Sequence, residues 1–285
     1  MPRPGPSPRI TLLANPGSGK GEEFDAESAL RARGATVRAF AIDEHEAAAE
    51  VEAERVAVAG GDGSIGCAAE LAARAGVPLA VIPVGTANDF ARALDIPTEP
   101  GDACRLAVEG RSTRKLDLGR MDGRAFVNAA SAGLPPVAAR EARGLKKALG
   151  PLAYAVGALR AGLVAAPIVA SVRCDGEEMF SGSAWQVTVA CSGAFGAGAS
   201  VDADPGDGML DAVAIEATSR AALVSRAYGL RAGRIESQRG VRTCRGPRVG
   251  VEVGTRTQFN VDGELVEAGD TQFWVEPSAF EVVTG

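Results

Sequence analysis

The first hundred residues alternate short apolar runs with stretches of helical period. Arg9 to Asn15 (RITLLAN) is an apolar run that ends in Asn-Pro-Gly-Ser-Gly, and Glu22 to Arg33 then reads as a helix stopped by Gly34. Thr36 to Ile42 predicts a second strand, and Glu44 to Glu54, rich in Ala and Glu, predicts a helix. Arg55 to Ala59 (RVAVA) predicts a third strand that breaks at Gly60-Gly61; a helix follows over Ile65 to Ala75, with Gly76 as its cap. Val77 to Val84 (VPLAVIPV) predicts the fourth strand. Strands apolar on both faces and separated by helices imply a parallel sheet covered on both sides. In such sheets ligands sit beyond the carboxyl ends of the strands, and three glycine-rich segments fall there.

After Asp117 the pattern changes. Helical stretches at Val137 to Leu149 and Pro151 to Val164 stand among short strand-like runs such as Ala184 to Cys191, Met209 to Glu216 and Arg248 to Val253. Asp175-Gly176 and Asp262-Gly263 are hairpin signals. This predicts a second domain, mainly antiparallel β, and an overall α/β class.

Composition narrows the function classes. Apolar residues make up 46% of the 285 and charged residues 23%, which excludes a disordered or fibrous chain. Thirty Lys plus Arg against thirty-six Asp plus Glu leave a net charge of −6, so the basic footprint of a nucleic-acid binder is absent. Five scattered cysteines, without a CxxC pair and with His45 the sole histidine, exclude zinc fingers and a disulfide scaffold and predict a reducing compartment. The Pro-rich N-terminus lacks the apolar core of a signal peptide. The apolar stretch Ala161 to Val172 is too short to span a bilayer and contains Pro167. A cytoplasmic location follows, with peripheral attachment to the inner membrane face left open.

Three loops could carry chemistry. Asn15-Pro16-Gly17-Ser18-Gly19-Lys20 invites a P-loop reading, but the spacing rejects it: the first Gly of a GxxxxGK loop is missing, and Gly21 stands where Ser or Thr is needed. A backbone nest able to approach a nucleotide survives, with a plain strand-to-helix turn as the alternative. In Gly60-Gly61-Asp62-Gly63-Ser64 the missing Cβ atoms let backbone N–H groups face phosphate oxygens, and Ser64 is a natural N-cap. Asp62 is not needed for the turn; a carboxylate beside a phosphate cradle makes sense when Mg²⁺ bridges them. In Pro83 to Arg92 (PVGTANDFAR), Thr86, Asn88 and Asp89 crowd one helix start, where capping alone would use one of them.

Together these segments resemble the diacylglycerol kinase catalytic-domain family, in particular compact bacterial lipid kinases, a superfamily shared with sphingosine kinases and NAD kinase. Asn15-Pro16 with Ser18-Gly19 is similar to the family's opening nucleotide motif, Gly60 to Ser64 to its phosphate loop, and Pro83 to Arg92 to its most specific signature. Phe126-Val127-Asn128 and Gly150 to Tyr154 match weaker positions. The resemblance implies a doubly wound, NAD kinase-like nucleotide domain over 1–117, completed by a returning strand at about 276–285, and a β-sandwich lipid-kinase domain over 118–275. ATP and Mg²⁺ are the implied cofactors, with Asn15, Pro16, Ser18, Gly60, Gly61, Asp62, Gly63, Ser64, Gly85, Thr86 and Asn88 at the nucleotide.

The resemblance also sorts the acidic residues of the second half. The run DADPGDGMLD holds Asp202, Asp204, Asp207 and Asp211, an oxygen-only set suited to Mg²⁺ or Ca²⁺, with a solvated turn as the alternative. The family's structural Mg²⁺, held by an Asp side chain with two flanking backbone carbonyls, maps to Asp207 with Asp204 and Met209. Its general base maps to Glu264 in Asp262-Gly263-Glu264, although the same tripeptide occurs at Asp175-Gly176-Glu177. Glu264, Asp62 and Asp89 are thus the expected catalytic residues. The expected activity is transfer of the γ-phosphate of ATP to a lipid hydroxyl, with diacylglycerol foremost. A sphingoid base, phosphatidylglycerol, a soluble metabolite or NAD is the alternative acceptor, and a catalytically silent nucleotide- or lipid-binding relative the third reading. The expected partner is a lipid at the membrane surface; Arg140, Arg143, Lys146, Lys147 and the arginines between Arg220 and Arg248 either meet an anionic bilayer or are solvated helix faces and loops, and a homodimer is left open.

Overall fold

A computed structural model describes residues 7–19, 23–138, 166–192, 203–218 and 240–285. The chain divides into two compact units, Met1–Leu118 with Ser278–Gly285, and Gly119–Pro277. Lys20, Gly21, Asp202, most of the two helical stretches after Val137, Gly150 to Tyr154 and the arginines from Arg220 to Arg239 lie outside the described residues.

The first unit is built on the predicted parallel strands: β1 (Arg9–Ala14), β2 (Thr36–Ala41), β3 (Arg55–Gly60) and β4 (Leu79–Pro83). Their order is β4-β3-β1-β2, each pair parallel. The carboxyl-terminal part of β15 (Thr271–Thr284) adds to the free side of β4, with Val282 opposite Leu79. β4 is buried at all five positions and β3 at all but Arg55, as strands covered on both faces should be. β2 is the outer strand and buries only Val37.

Helix α1 (Ala26–Arg31) starts later than Glu22, because Asp25 caps it by accepting the Ser28 N–H at 2.9 Å. The helix expected over Glu44 to Glu54 is cut to α2 (His45–Ala48) after a 3-10 turn at Ile42–Glu44. The reason is at its far end: the Glu54 N–H donates to the Arg9 carbonyl at 2.8 Å, so the chain must already be extended to enter β3. Helix α3 (Ile65–Ala75) has the predicted bounds, and Gly76 ends it at φ 63°. The short α4 (Asp89–Ala93) and α5 (Pro100–Glu109) complete the unit; α5 sends Ala103, Cys104 and Ala107 into a core shared with Ile82 and Val283.

The second unit is antiparallel: β5 (Ser112–Met121) and β15 reach into it from the first, followed by β6 (Arg124–Phe126), β7 (Ala129–Gly133), β8 (Ile168–Cys174), β9 (Glu177–Ala190), β10 (Leu210–Glu216), β11 (Val241–Gly246), β12 (Arg248–Glu252), β13 (Thr257–Val261) and β14 (Glu264–Ala268). The long β9 organises it. Its first half, Glu177 to Ala184, pairs with β8, which continues through β12 to β15; its second half pairs with β10 on one side and β7 on the other. Phe126, Phe259 and Phe273 fill the core, the first and last edge-to-face at 6.1 Å. Trp185 is buried with Val213 and Ile215, as expected for a core residue.

One expectation from composition is corrected. Cys174 at the end of β8 and Cys244 in β11 form a disulfide, although seventy residues separate them. The fold brings these two strands, which share no backbone pairing, to a Cα separation of 6.3 Å. Cys67, Cys104 and Cys191 remain thiols.

Candidate active site

The three glycine-rich loops converge at the carboxyl ends of β1, β3 and β4. The Asn15 N–H donates to the Ala59 carbonyl at 2.9 Å and the Val84 N–H to the Gly60 carbonyl at 3.0 Å, carrying the sheet pattern one residue beyond the strands. Asn15 Nδ2 donates to Ser64 Oγ at 2.9 Å, which joins the first loop to the second. Asp62 Oδ1 accepts the Phe90 N–H at 3.0 Å, which joins the second to the third.

These bonds revise two capping expectations. Ser64 has helical backbone angles because a 3-10 turn at Asp62–Ser64 precedes α3, so its hydroxyl makes no cap bond and serves Asn15 instead. Asn88 stands at the start of α4 in the left-handed conformation, φ 52°, and its Nδ2 donates back to the Gly85 carbonyl at 3.1 Å. The cap of α4 therefore comes from Asp62, twenty-eight residues away.

The glycines are required first by the packing of the loops on one another. A Cβ on Gly85 would sit 2.5 Å from Gly61 Cα, one on Gly61 2.8 Å from Ser18 Oγ, and one on Gly19 2.2 Å from the Val84 carbonyl oxygen. Gly17 has no such restriction. Beside this junction lies a cleft of about 360 Å³ bounded by Leu12, Asn15, Pro16, Phe24, Phe40 and Val84, within the size range of small-molecule sites. Asn88, only 8% exposed, keeps Oδ1 without a hydrogen-bond partner among the described residues. The cleft lining is mixed, with Asp25, Glu27 and Glu44 beside the apolar side chains and without Asn88; its apolar wall of Leu12, Phe24, Phe40 and Val84 suits a flat base. Asp62 is partly buried with one oxygen committed to Phe90; Asp89 opens α4, and Thr86 is exposed on the loop before it.

In the second unit Glu264 begins β14, half exposed, and ion-pairs with Arg124 of β6. Its hairpin and the one before Glu177 have nearly the same backbone: Asp262 and Gly263 at φ 48° and 94°, Asp175 and Gly176 at 50° and 90°. The aspartates distinguish them. Asp262 is buried and accepts the N–H groups of Val127, Asn128 and Ala129 at 2.7, 2.9 and 3.0 Å, which fastens the β13-β14 turn to the start of β7. Asp175 instead presses its carboxylate on the backbone of Gly246, where a Cβ would lie 2.4 Å from Oδ2. Neither Arg124 nor the role of Asp262 was part of the sequence reading; the match at Phe126-Val127-Asn128 was the available signal, since that segment supplies two of the amides.

The expected structural metal position is already engaged. Asp207 Oδ1 accepts the Met209 N–H at 2.9 Å, and its other oxygen is ion-paired with Arg245. Asp204 Oδ1 accepts the Gly206 N–H at 3.1 Å. Among the described residues no three His, Cys, Asp or Glu side chains converge as a metal cluster, and no helix is long and apolar enough to cross a membrane. The Asp207 carboxylate therefore does not fit a divalent ion without displacing the guanidinium.

The chain matches two family profiles: the diacylglycerol kinase catalytic domain over residues 9–121, and the YegS C-terminal NAD kinase beta sandwich-like domain over 128–284. A Pseudomonas aeruginosa protein named "Probable lipid kinase YegS-like" is 35% identical over 237 residues, covering 78% of this chain and 74% of its own length. A Staphylococcus aureus diacylglycerol kinase is 39% identical over 162 residues, about half of each chain. A crystal structure of a Bacillus anthracis diacylglycerol kinase superposes with a TM-score of 0.76 at 20% identity, covering 97% of both chains. An Archaeoglobus fulgidus NAD kinase solved with ATP gives 0.54 at 14% identity, over 97% of this chain and 93% of that one. These two share the fold, an α/β region followed by a mostly β domain. With both profiles matched in order and a relative aligned over most of its length, the chain belongs to the diacylglycerol kinase and YegS-like lipid kinase family.

Proposed function

We propose that this chain is an ATP-dependent lipid kinase that transfers the γ-phosphate to a lipid hydroxyl, with diacylglycerol as acceptor and phosphatidic acid as product. The observation that carries the reading is the junction of three glycine loops at the strand ends, tied by Asp62 to Phe90 and by Asn15 to Ser64. Asn15, Pro16, Ser18, Gly60 to Ser64, Gly85, Thr86 and Asn88 would hold ATP, with the base against the Leu12, Phe24 and Phe40 wall of the cleft and the phosphates at the start of α3, where N–H groups and the helix dipole favour anions. Asp62 and Asp89 are the oxygen donors for Mg²⁺, which supplies charge neutralisation on the phosphate oxygens when bound.

Glu264 accepts the proton of the acceptor hydroxyl as its oxygen bonds to the γ-phosphorus and the bond from that phosphorus to ADP breaks. Arg124 holds the carboxylate of Glu264 in position. The acceptor is a membrane lipid, so the protein works at a membrane surface.

The test is transfer of labelled γ-phosphate from ATP, with Mg²⁺, to diacylglycerol, monoacylglycerol, sphingosine, phosphatidylglycerol and NAD in mixed micelles. Labelled diacylglycerol supports the reading. Label on NAD alone, or on none of them while ATP binds, overturns it.

A further inference from the structure

Asp207 and Asp211 place two carboxylates at the head of β10, and the described Arg245 lies against both. Arg245 on β11 is the direct cross-strand partner of Asp211. Its guanidinium pairs with one Asp207 oxygen and brings Nε to 3.8 Å from Asp211 Oδ2, while the other Asp207 oxygen accepts the Met209 N–H. The Asp211 side chain is 15% exposed, so its charge is poorly screened by solvent. The arginine is anchored on both sides of the chain: by strand register, and by the disulfide of the adjacent Cys244 to Cys174.

An oxygen-ligated divalent ion needs carboxylate oxygens open toward it, and a guanidinium satisfies the same oxygens with a fixed fork of donors. We infer that in this chain Arg245 takes the place of a divalent cation at the Asp204–Asp211 turn, closing it with a covalently built-in positive charge. The turn then folds without Mg²⁺ or Ca²⁺, and removal of the guanidinium leaves an oxygen cluster open to such ions. This inference concerns the second unit alone and does not rest on the proposed activity.

The experiment is thermal unfolding and calorimetric titration of the full chain, without ATP, in chelator and in millimolar Mg²⁺ or Ca²⁺. Every protein carries D62N, so that binding at the first unit does not enter the comparison. With Arg245 present, the midpoint should be the same in chelator and in either metal. R245Q should lose roughly 2–4 °C in chelator and recover it in Mg²⁺ or Ca²⁺, with metal binding appearing in the titration; R242Q, which removes the neighbouring arginine paired with Glu216, should gain no metal response. Two results would overturn the inference: a metal-dependent midpoint with Arg245 intact that disappears in D207N, or an R245Q protein whose lost stability no divalent ion restores. If R245Q fails to fold in chelator, its recovery in Mg²⁺ or Ca²⁺ supports the inference and its failure in both overturns it; R245K, which keeps the charge, should fold and show one midpoint in chelator and in either metal.

Discussion

Asp62 accepts the backbone N–H of Phe90 at 3.0 Å, so one carboxylate in the second glycine loop sets the start of the helix that follows the third. Its two tasks separate by substitution. D62N keeps a side-chain acceptor for Phe90 and should unfold within about 0.5 kcal/mol of the natural protein, yet lose phosphoryl transfer because it loses the anionic donor to Mg²⁺. D62A should lose activity and about 1 kcal/mol as well, the usual cost of a missing cap. Equal stability of the two variants in urea would show that the bond to Phe90 contributes nothing.

Glu264 and Glu177 follow the same Asp-Gly turn, which makes each the control for the other. E264Q should lower turnover by roughly 10²–10⁴-fold, the range for loss of a general base, with the unfolding midpoint unchanged. E177Q should keep full turnover. Equal, undiminished activity of both variants removes Glu264 from the role.

The two aspartates before those glutamates should differ in stability rather than turnover. D262A leaves three buried N–H donors without their acceptor and should cost roughly 3 kcal/mol or more, at about 1–3 kcal/mol for each such group. D175A opens only a crowded contact with Gly246 and should cost under about 1 kcal/mol. Urea titration of both variants checks the order.

Burial raises the Cys104 thiol to about 11 from its ordinary 9.0, against a smaller opposing pull from Arg33. The folded state therefore holds this proton where the unfolded chain releases it. The resulting stabilisation is fully present below pH 9 and is lost as pH rises through 11, a change on the order of 1–3 kcal/mol. C104A should flatten the fall in stability expected of the natural protein as pH rises from 9.0 to about 11. An unaltered slope would mean that the thiolate is accommodated in the fold.

The Cys174–Cys244 bond closes a loop of seventy residues. In the chain-entropy account such a link is worth roughly 4 kcal/mol, so a dithiol reductant should lower the unfolding midpoint of the natural protein and leave that of the C174S/C244S pair unchanged. The same midpoint with and without reductant would show that the link does not stabilise the chain.

What could be read from the sequence follows the range of the interactions involved. Ile65 to Ala75 was legible to the residue because an Ala-rich amphipathic run and a glycine in the left-handed conformation are local facts. So were the cores of β1 to β4, whose apolar runs differ from the folded strands by a residue or two at the ends. The loops that gather at the strand ends were legible as motifs, but the reason for their glycines was not: Gly61 lacks a side chain because Gly85 and Ser18 approach it, and neither is near it in sequence. The cap on α4, the pairing of Arg124 with Glu264, the hold of Asp262 on Val127 to Ala129, and the ion pair of Arg245 with Asp207 all join residues at least twenty-eight apart. No periodicity in the chain encodes them.

The part of β15 that borders β4, in the segment Ser278–Gly285, is made after all of 119–277. A nascent chain emerging from the ribosome therefore exposes the free side of β4 for as long as the second unit takes to be synthesised. Val282 and Val283, both buried in the finished molecule, must thread onto a partner that has waited some two hundred residues for them. The first unit, first to be translated, is thus among the last parts of the molecule to mature.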